Sequence, residues 1–303
     1  MQAPIGPAAT PELVRAVSGV GALGTLAASW TEPEVLRRQL HALRAGGRVD
    51  YCVNLVLAFD QLERLEVVLA VGTPFVSFSW GIDGALIGAA REHGAFVLVQ
   101  VGDAESAVEA AERGAHAVIA QGIEAGGHVQ GRTPILELLR EIRSVLQLPI
   151  VAAGGIADVS SARAALDAGA DAVACGTAFL VADEADVHPI YRDRLLRSAA
   201  TDTVLTRMFD VGWPDAPHRV IRNDTYARWE AEGCLPSGTR TGEGEIVATR
   251  DGSPIERYSD AQPTSRTVGD VDAMALYAGT SVGHVRRRAS AGQITNAIAR
   301  ALT

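Results

Sequence analysis

The chain has 303 residues, of which 48% are hydrophobic and 5% aromatic, and its formal net charge at pH 7 is −9. This length suits one large domain or a barrel with an appendage, and a negative charge without any basic run argues against nucleic acid as a partner. There is no basic-then-apolar leader and no apolar run near the ~20 residues of a membrane span, so we expect a cytoplasmic protein without membrane association.

Short β-branched runs alternate with amphipathic stretches from residue 1 to about residue 180. In "TPELVRAVSGVG", Thr10 can cap a helix and Pro11 suits its first turn, and "DAESAVEAAERGA" and "TPILELLREIRSVL" have similar helical patterns. Eight strands are predicted, at Gln2–Pro4, Ala22–Leu26, Tyr51–Leu55, Phe75–Ser79, Phe96–Val101, Ala117–Gln121, Ile150–Ala153 and Ala172–Gly176. Eight strands with intervening helices predict an α/β fold of the (β/α)8 TIM-barrel type, because a doubly wound sheet rarely needs eight.

Two segments of this region resemble each other. Residues 103–122 and 158–176 share Asp, Ser-Ala, Gly-Ala and Ala-Val at matching offsets. Each predicts a helix, a glycine that ends it and a strand, which is the unit that a barrel repeats. Internal duplication and convergent packing both explain the match.

The sequence changes character after about residue 200. "EIVATRDGSPIERY" predicts a hairpin around Asp251-Gly252, whereas "DVDAMALYAGTSVG" and "AGQITNAIARALT" have helical patterns. We assign residues 1–200 to the barrel and 201–303 to a smaller C-terminal α+β segment that covers the active-site end and partly packs back onto the barrel. The alternative is an appendage that only stabilises the fold.

The composition excludes several kinds of chemistry. All 27 basic residues are arginine, so Schiff-base enzymes and ATPases with a P-loop lysine are excluded. Cys52, Cys175 and Cys234 are far apart and form no CxxC pair, so neither disulfides nor a zinc site is expected. The strand ends carry no cluster of carboxylates and histidines, so we expect no metal.

Glycines follow the last two predicted strands. "AAGGI" (152–156) and "ACGT" (174–177) lie where barrels commonly bind phosphate through backbone N–H groups. Glycine lets the backbone approach the phosphate oxygens closely, and Thr177 adds a hydroxyl. The other interpretation is that these glycines only permit tight turns, but their occurrence after both strands favours a phosphate site.

The loop "QGIEAGGHVQG" (121–131) follows the sixth predicted strand and faces the same end of the barrel. Neutral amides such as Asn54 and Gln121 suit the imide edge of a flat ring system, and glycine suits a backbone that lies against the ring. His128 then stands where a substrate above the ring would lie, able to exchange a proton near neutral pH. Glu124 is a candidate for orienting the loop backbone.

The whole set of motifs resembles the flavin-dependent nitronate monooxygenase family, formerly called 2-nitropropane dioxygenases. The matching segments cover nearly the whole chain: "QAPIG", "GALGT", "VNL", "VSFSWG", "AQGIEAGGHVQG", "VAAGGIAD", "ACGTAFL", "GWPDAPHRVIRN" and "MALYAGTSVG". The EAGGH and GGIAD pair at this spacing is the most specific part of the resemblance.

The resemblance implies an FMN-binding barrel in which His128 is the catalytic residue. The expected cofactor contacts are Pro4, Ile5, Asn54, Gln100, Gln121, Gly126, Gly127, Gly154, Gly155, Ala174, Cys175, Gly176 and Thr177. The implied reaction oxidises an alkyl nitronate, with O₂, to a carbonyl compound and nitrite. His128 would either abstract a proton from a neutral nitroalkane or bind the nitronate oxygens.

This sequence departs from the family pattern in places that bear on substrate range. Ile5-Gly6-Pro7 replaces the usual residues beside the flavin, Gln100 stands where a threonine is expected, and Thr280 where a glutamine is frequent. The partners expected are a small nitro or nitronate substrate and O₂, and the oligomeric state, including a homo-oligomer, is left open.

Three other functions remain as alternatives. The nearest is an FMN- and NADH-dependent enoyl-ACP reductase, which has a similar barrel and loop. A flavin-binding barrel without turnover is the second. An IMP-dehydrogenase-like enzyme needs a catalytic loop cysteine, whereas Cys52 and Cys175 lie within predicted strands.

Overall fold

A computed structural model describes residues 1–45, 47 and 49–302 of the chain. Its central feature is a curled parallel sheet of seven strands, in the order β1-β2-β3-β4-β5-β7-β8. The strands are β1 (Gly24–Ala27), β2 (Tyr51–Val56), β3 (Phe75–Ser79), β4 (Phe96–Val101), β5 (Ala117–Gln121), β7 (Ile150–Ala153) and β8 (Ala172–Ala174), with the short β6 (Gly127–His128) in the loop after β5. The predicted (β/α)8 barrel is confirmed, and seven of its eight strands lie within three residues of their predicted bounds.

The first predicted strand, Gln2–Pro4, is the exception. Of its residues, only Gln2 forms a bridge, and its partner is Cys175. This single bridge nevertheless closes the barrel between β8 and β1. The side chain of Gln2 extends that contact, since its Oε1 accepts from Thr25 N at 2.8 Å and its Nε2 donates to Thr25 O at 3.1 Å. Pro4 has no N–H to donate and so cannot continue the ladder.

Ten helices occur in the described ranges: α1 (Pro11–Ser18), α2 (Pro33–Ala45), α3 (Leu62–Ala70), α4 (Gly84–Glu92), α5 (Ala104–Glu112), α6 (Ile135–Val145), α7 (Val159–Asp167), α8 (Pro189–Arg197), α9 (Asp224–Ala231) and α10 (Ala291–Ala299). The Thr10 hydroxyl caps α1 as predicted, by accepting from Leu13 N. Asp103 and Asp158 cap α5 and α7 in the same way, so the two similar segments have matching local structure. Within these ranges no helix is both long and apolar enough to cross a bilayer.

Along each strand, successive side chains point alternately to the inside and to the outside of the barrel. In β2, Cys52 belongs to the interior cluster with Leu98 and Ile119, whereas Val53 packs outward with the residues that contact the helices. The two-residue period of a strand therefore points Asn54, two positions after Cys52, into the barrel near its carboxyl end.

Two small antiparallel sheets follow the barrel. The first has the order β6-β10-β9, with β9 (Thr203–Thr206) and β10 (His218–Ile221), and the second has the order β12-β11-β13, with β11 (Ile246–Arg250), β12 (Ser253–Glu256) and β13 (Thr267–Gly269). The hairpin predicted around Asp251-Gly252 is confirmed, since β11 and β12 flank these residues and both have positive φ. Because β6 belongs to the first sheet, that sheet fixes the loop that carries His128.

The helix predicted for "DVDAMALYAGTSVG" is wrong. This segment forms two 3-10 turns, Val271–Ala273 and Thr280–His284, with irregular chain between them. Between these turns, backbone carbonyls pair with other elements: Ile221 N donates to Leu276 O, and Asn223 Nδ2 donates to Met274 O. Long-range pairing thus replaces the local helix.

The last helix, α10, returns to the barrel and contacts α1 and α7. Its Ala291 and Ile298 join the same buried cluster as Leu13 of α1. The division of the chain at residue 200 stays a prediction, and α10 is the part of the C-terminal segment that packs among the barrel helices.

Candidate active site

A cavity of about 530 Å³ opens at the carboxyl ends of the barrel strands. Of the residues predicted to bind cofactor or act on substrate, it brings together Pro4, Ile5, Asn54, Gln100, Gln121, Gly126, Gly127, His128, Gly154, Gly155, Ala174, Gly176 and Thr177. Cys175 does not line it, because alternation along this stretch turns its side chain outward into the cluster between barrel and helices.

Two glycine turns form one corner of this cavity, which we call the anion corner (Gly154–Ile156 and Gly176–Thr177). Gly154 and Gly155 have φ of 106° and 72°, a conformation that favours glycine. In the described ranges, the amide N–H groups of Gly155, Ile156, Gly176 and Thr177 donate to no protein acceptor. Such a group of free donors suits the oxygens of a phosphate.

The amide side chains expected beside a ring have protein partners of their own. Gln121 Nε2 donates to His128 O at 3.1 Å, and its Oε1 accepts from Gln130 N at 2.7 Å, so this amide holds the His128 loop against the barrel. Asn54 Nδ2 donates to Ser77 Oγ at 3.0 Å, which fixes the orientation of that amide at the cavity wall.

A residue that the sequence did not single out, Gln130, connects the loop to two neighbouring strands. Its Oε1 accepts from Gln100 Nε2 at 2.8 Å and from Trp80 N at 3.1 Å. Trp80 has a φ of 60°, which is uncommon for a bulky residue, and the hydrogen bond that its N–H donates to Gln130 helps to hold this conformation.

Glu124, the candidate for orienting the loop backbone, connects the loop to α6 and to the C-terminal segment. Its carboxylate accepts from Ile135 N, the first residue of α6, at 3.0 and 3.2 Å, and its carbonyl accepts from Thr280 N at 3.0 Å. Next to it, a Cβ on Gly126 would lie 2.3 Å from Gly279 N. Glycine at 126 is therefore required for the close approach of the C-terminal segment.

His128 lies in β6, half-buried, with its ring stacked on Trp213 at a centroid distance of 4.2 Å. Its Nε2 is buried and has no partner among the described residues, so a ligand in the cavity would satisfy it. Burial, and after it the neighbouring His218, lowers the pKa of His128 to about 3. The imidazole is thus neutral at neutral pH.

His218, which pairs with His128 across β6 and β10, was not anticipated from the sequence. It is fully buried, accepts from Phe209 N through Nε2 at 3.2 Å, and has Ala216 O 3.0 Å from Nδ1. This pattern needs one N–H and one bare nitrogen, hence a neutral ring, and burial lowers its pKa to about 4. The role of His218 is therefore structural: its ring holds the backbone of Phe209 and Ala216 beside His128.

Three of the four tryptophans line the cavity, and with Phe59 they form an aromatic wall (Trp30, Phe59, Trp80 and Trp213). Trp213 lies at its centre, with ring centroids 4.8 Å from Trp80, 5.1 Å from Phe59 and 6.0 Å from Trp30. The sequence signal was the position of Trp80, directly after the end of β3, and of Trp30, shortly after the end of β1, but Trp213 lies far along the chain.

The C-terminal segment also contributes Arg250, Asp260, Gln262 and Tyr277 to the cavity, none of them predicted from sequence. Tyr277 Oη donates to the backbone carbonyl of Asp260 at 2.8 Å. Burial raises the pKa of the Asp260 carboxyl to about 6, against the opposing effects of its own backbone N–H and of Arg250. The cavity therefore has walls from both parts of the chain.

Because His128 and His218 are neutral in the native protein, we expect its stability to depend on pH. In the unfolded chain each imidazole titrates near 6.5, but in the native protein His128 and His218 stay neutral down to about 3 and about 4. Between pH 6.5 and 4 the unfolded state therefore binds more protons, and the free energy of unfolding falls as pH falls, by at most about 1.4 kcal/mol per pH unit for each group.

Urea unfolding at pH 7 and pH 5 measures this effect. We expect His218→Phe, although less stable at pH 7, to lose less stability between the two pH values than the native sequence. His93→Gln, at an exposed position, is the matched control and should keep the native slope. If the free energy of unfolding of His218→Phe falls between pH 7 and pH 5 as much as that of the native sequence, the conclusion that His218 is buried in its neutral form is wrong.

The chain is similar to several known proteins. The family model described as nitronate monooxygenase matches residues 47–300. A probable nitronate monooxygenase of Staphylococcus saprophyticus is 29% identical over an alignment length of 271, and the match covers 74% of this chain and 75% of that protein. A nitroalkane oxidase of Streptomyces ansochromogenes has a similar structure, with a TM-score of 0.78, 28% identity and coverage of 99% of this chain and 94% of that one.

A further relative has a different name. The (3aS,4S,5R,7aS)-5-hydroxy-7a-methyl-1-oxo-octahydro-1H-indene-4-carboxyl-CoA dehydrogenase of Mycobacterium tuberculosis is 31% identical over 262 residues, 86% of this chain and 71% of that protein. The name of this relative is that of a dehydrogenase, not of a nitronate monooxygenase. Since the family model extends over most of the sequence, this chain belongs to the nitronate monooxygenase family.

Proposed function

We propose that the protein is an FMN-dependent enzyme that oxidises alkyl nitronates with O₂ to a carbonyl compound and nitrite. The observation that carries the proposal is a single cavity holding both a corner of free backbone N–H groups and the unpartnered Nε2 of His128. Family membership supports the reaction type.

The residues present fit FMN. The amides of Gly155, Ile156, Gly176 and Thr177 would hold its phosphate, and Pro4 and Ile5 would form the wall beside its ring. A Cβ on Gly176 would lie 3.3 Å from Ile5 Cγ2, so glycine keeps this part of the cavity open. When bound, FMN supplies the electron acceptor of the oxidation, which no side chain of this chain can supply.

His128 is better suited to bind a nitronate than to create one. With a pKa of about 3, the imidazole is a weak base, whereas removing a proton from a neutral nitroalkane needs a base whose pKa lies near the working pH. As a neutral ring it can donate one N–H to an anionic nitronate oxygen, and the anion would in turn raise the pKa of the ring. We therefore expect the nitronate, not the nitroalkane, to be the substrate.

The test compares two forms of one compound. Preformed ethyl nitronate and freshly dissolved neutral nitroethane are mixed with the enzyme at pH 7.5, and initial rates of O₂ consumption and nitrite release are measured. We expect a fast reaction with the nitronate and a rate with nitroethane that is limited by its spontaneous ionisation. Equal initial rates would overturn the binding role of His128, and no nitrite from either would overturn the proposed reaction.

The second candidate is a flavin-dependent enzyme acting on an acyl thioester, either the enoyl-ACP reductase considered from the sequence or a dehydrogenase. The name of the Mycobacterium tuberculosis relative favours this class. Oxidation of NADH in the presence of an enoyl thioester, without any turnover of nitronates, would select it. Binding of FMN without either activity would select a flavin-binding barrel that has no turnover.

A further inference from the structure

The aromatic wall has no part in the reaction proposed above, yet it leads outward from the candidate catalytic group. His128 stacks on Trp213, and Trp213 itself contacts each of the other three rings, Trp80, Phe59 and Trp30. A continuous row of rings thus connects the imidazole with the cavity mouth. In a chain with only 5% aromatic residues, this concentration at one cavity is unusual.

Trp30, at the outer end of the wall, is 57% exposed although it lines the cavity. Leaving a large apolar side chain in water forgoes about 1.5–3 kcal/mol of burial free energy. Its contacts with Phe59, at 5.8 Å, and Trp213 leave most of the indole uncovered. Exposed apolar surface at the edge of a cavity is typical of a ligand contact.

Trp80 adds evidence that the wall is built for a ligand. Its φ of 60° costs about 1–3 kcal/mol for a residue of this size, and such strain is concentrated at functional sites. The conformation places the Trp80 ring edge-on to Trp213 and 6.2 Å from His128. A wall that served only to pack the C-terminal segment against the barrel would gain nothing from this strain.

We propose that the aromatic wall is a subsite for a flat, apolar substituent of the substrate, so that the preferred substrates are nitronates carrying an aryl group. This rests on the proposed function, because it assumes that the nitronate group lies at His128. An aryl ring beside Trp213 and Trp30 would gain edge-to-face or offset contacts and cover the exposed indole. Ethyl nitronate has no ring and so gains none of these aromatic contacts.

Binding of unreactive mimics tests the subsite without turnover. Phenylacetate has the planar anion and ring of an aryl nitronate, and acetate has the anion alone. Calorimetric titration of the holoenzyme should give a dissociation constant for phenylacetate at least tenfold below that for acetate. Trp30→Ala should weaken phenylacetate about tenfold and leave acetate within twofold.

Turnover gives the second readout. For Trp30→Ala we expect kcat/KM to fall about tenfold with phenylnitromethane nitronate and to stay within twofold with ethyl nitronate. Phe96→Ala is the matched control, since Phe96 is a partly exposed aromatic residue at the opposite end of the barrel, stacked on His116. This variant should leave the ratio of the two substrates unchanged.

The outcomes separate the two proposals. If phenylacetate binds no better than acetate, or if Trp30→Ala reduces both nitronates equally, the aryl subsite is wrong even though nitronate oxidation stands. If neither nitronate is oxidised but phenylacetate binding depends on Trp30, the proposed reaction is wrong and the subsite belongs to another aromatic or apolar anion.

Discussion

Replacement of His128 by alanine is expected to lower kcat/KM for ethyl nitronate by about 10²–10³-fold, the usual cost of removing one donor to a developing or bound anion. The buried Nε2 of His128 has no partner among the described residues and lies at the cavity. In the neighbouring His218, both ring nitrogens already have hydrogen-bond partners, in the backbones of Ala216 and Phe209. No second imidazole can therefore replace it. Steady-state O₂ consumption and nitrite release measure the effect.

His128→Gln tests whether the loss reflects the N–H donor or the packing against Trp213. Glutamine keeps a donor and approximate volume, so we expect it to recover about tenfold of the activity that His128→Ala loses. The absorbance of bound FMN should be the same in both variants, because His128 lies outside the anion corner. A loss of less than threefold in His128→Ala, with FMN retained, would remove His128 from the mechanism.

The second large effect is expected from Gly176→Asp, which should raise the dissociation constant of FMN by about 10²–10³-fold. A carboxylate about 4 Å from a phosphate costs about 4 kcal/mol at an effective dielectric constant near 20. The new Cβ would also crowd Ile5, at 3.3 Å. Fluorescence titration of the apoprotein with FMN measures the change.

Gly176→Ala separates crowding from charge and should weaken FMN far less than Gly176→Asp does. Gly88→Asp is the matched control: it adds the same charge on α4, where an added Cβ meets nothing within 4 Å. Thermal unfolding of the apoproteins checks that each variant folds. Undiminished FMN affinity in a folded Gly176→Asp protein would place the phosphate elsewhere.

Most of the barrel could be predicted from sequence because its strands are buried on both faces and end in glycine turns. Phe75–Ser79, Phe96–Val101, Ala117–Gln121 and Ile150–Ala153 have the predicted bounds. The N-terminal strand could not be placed correctly by the same pattern, since Pro4 ends its ladder after a single bridge at Gln2.

The candidate site was predictable only where it follows the barrel strands. His128, Asn54 and the glycine turns lie at strand ends, so their convergence follows from the fold. Trp213, by contrast, reaches the cavity through the pairing of β6 with β10. Local periodicity carries no signal of such long-range contacts. The part of the cavity lining that comes from the C-terminal segment could therefore not be predicted from the sequence.

The same limit applies to the segment at 270–283. It has a helical pattern and nevertheless pairs with β10 and the start of α9. There, tertiary hydrogen bonds replace the local preference.

Anaerobic mixing of the purified holoenzyme with ethyl nitronate, and separately with NADH, is the most direct test of nitronate oxidation at this cavity. We expect the protein to be yellow, to release FMN on denaturation, and to lose its absorbance near 450 nm on mixing with the nitronate. Bleaching by NADH alone, or a colourless protein that takes up no FMN, would contradict the assignment.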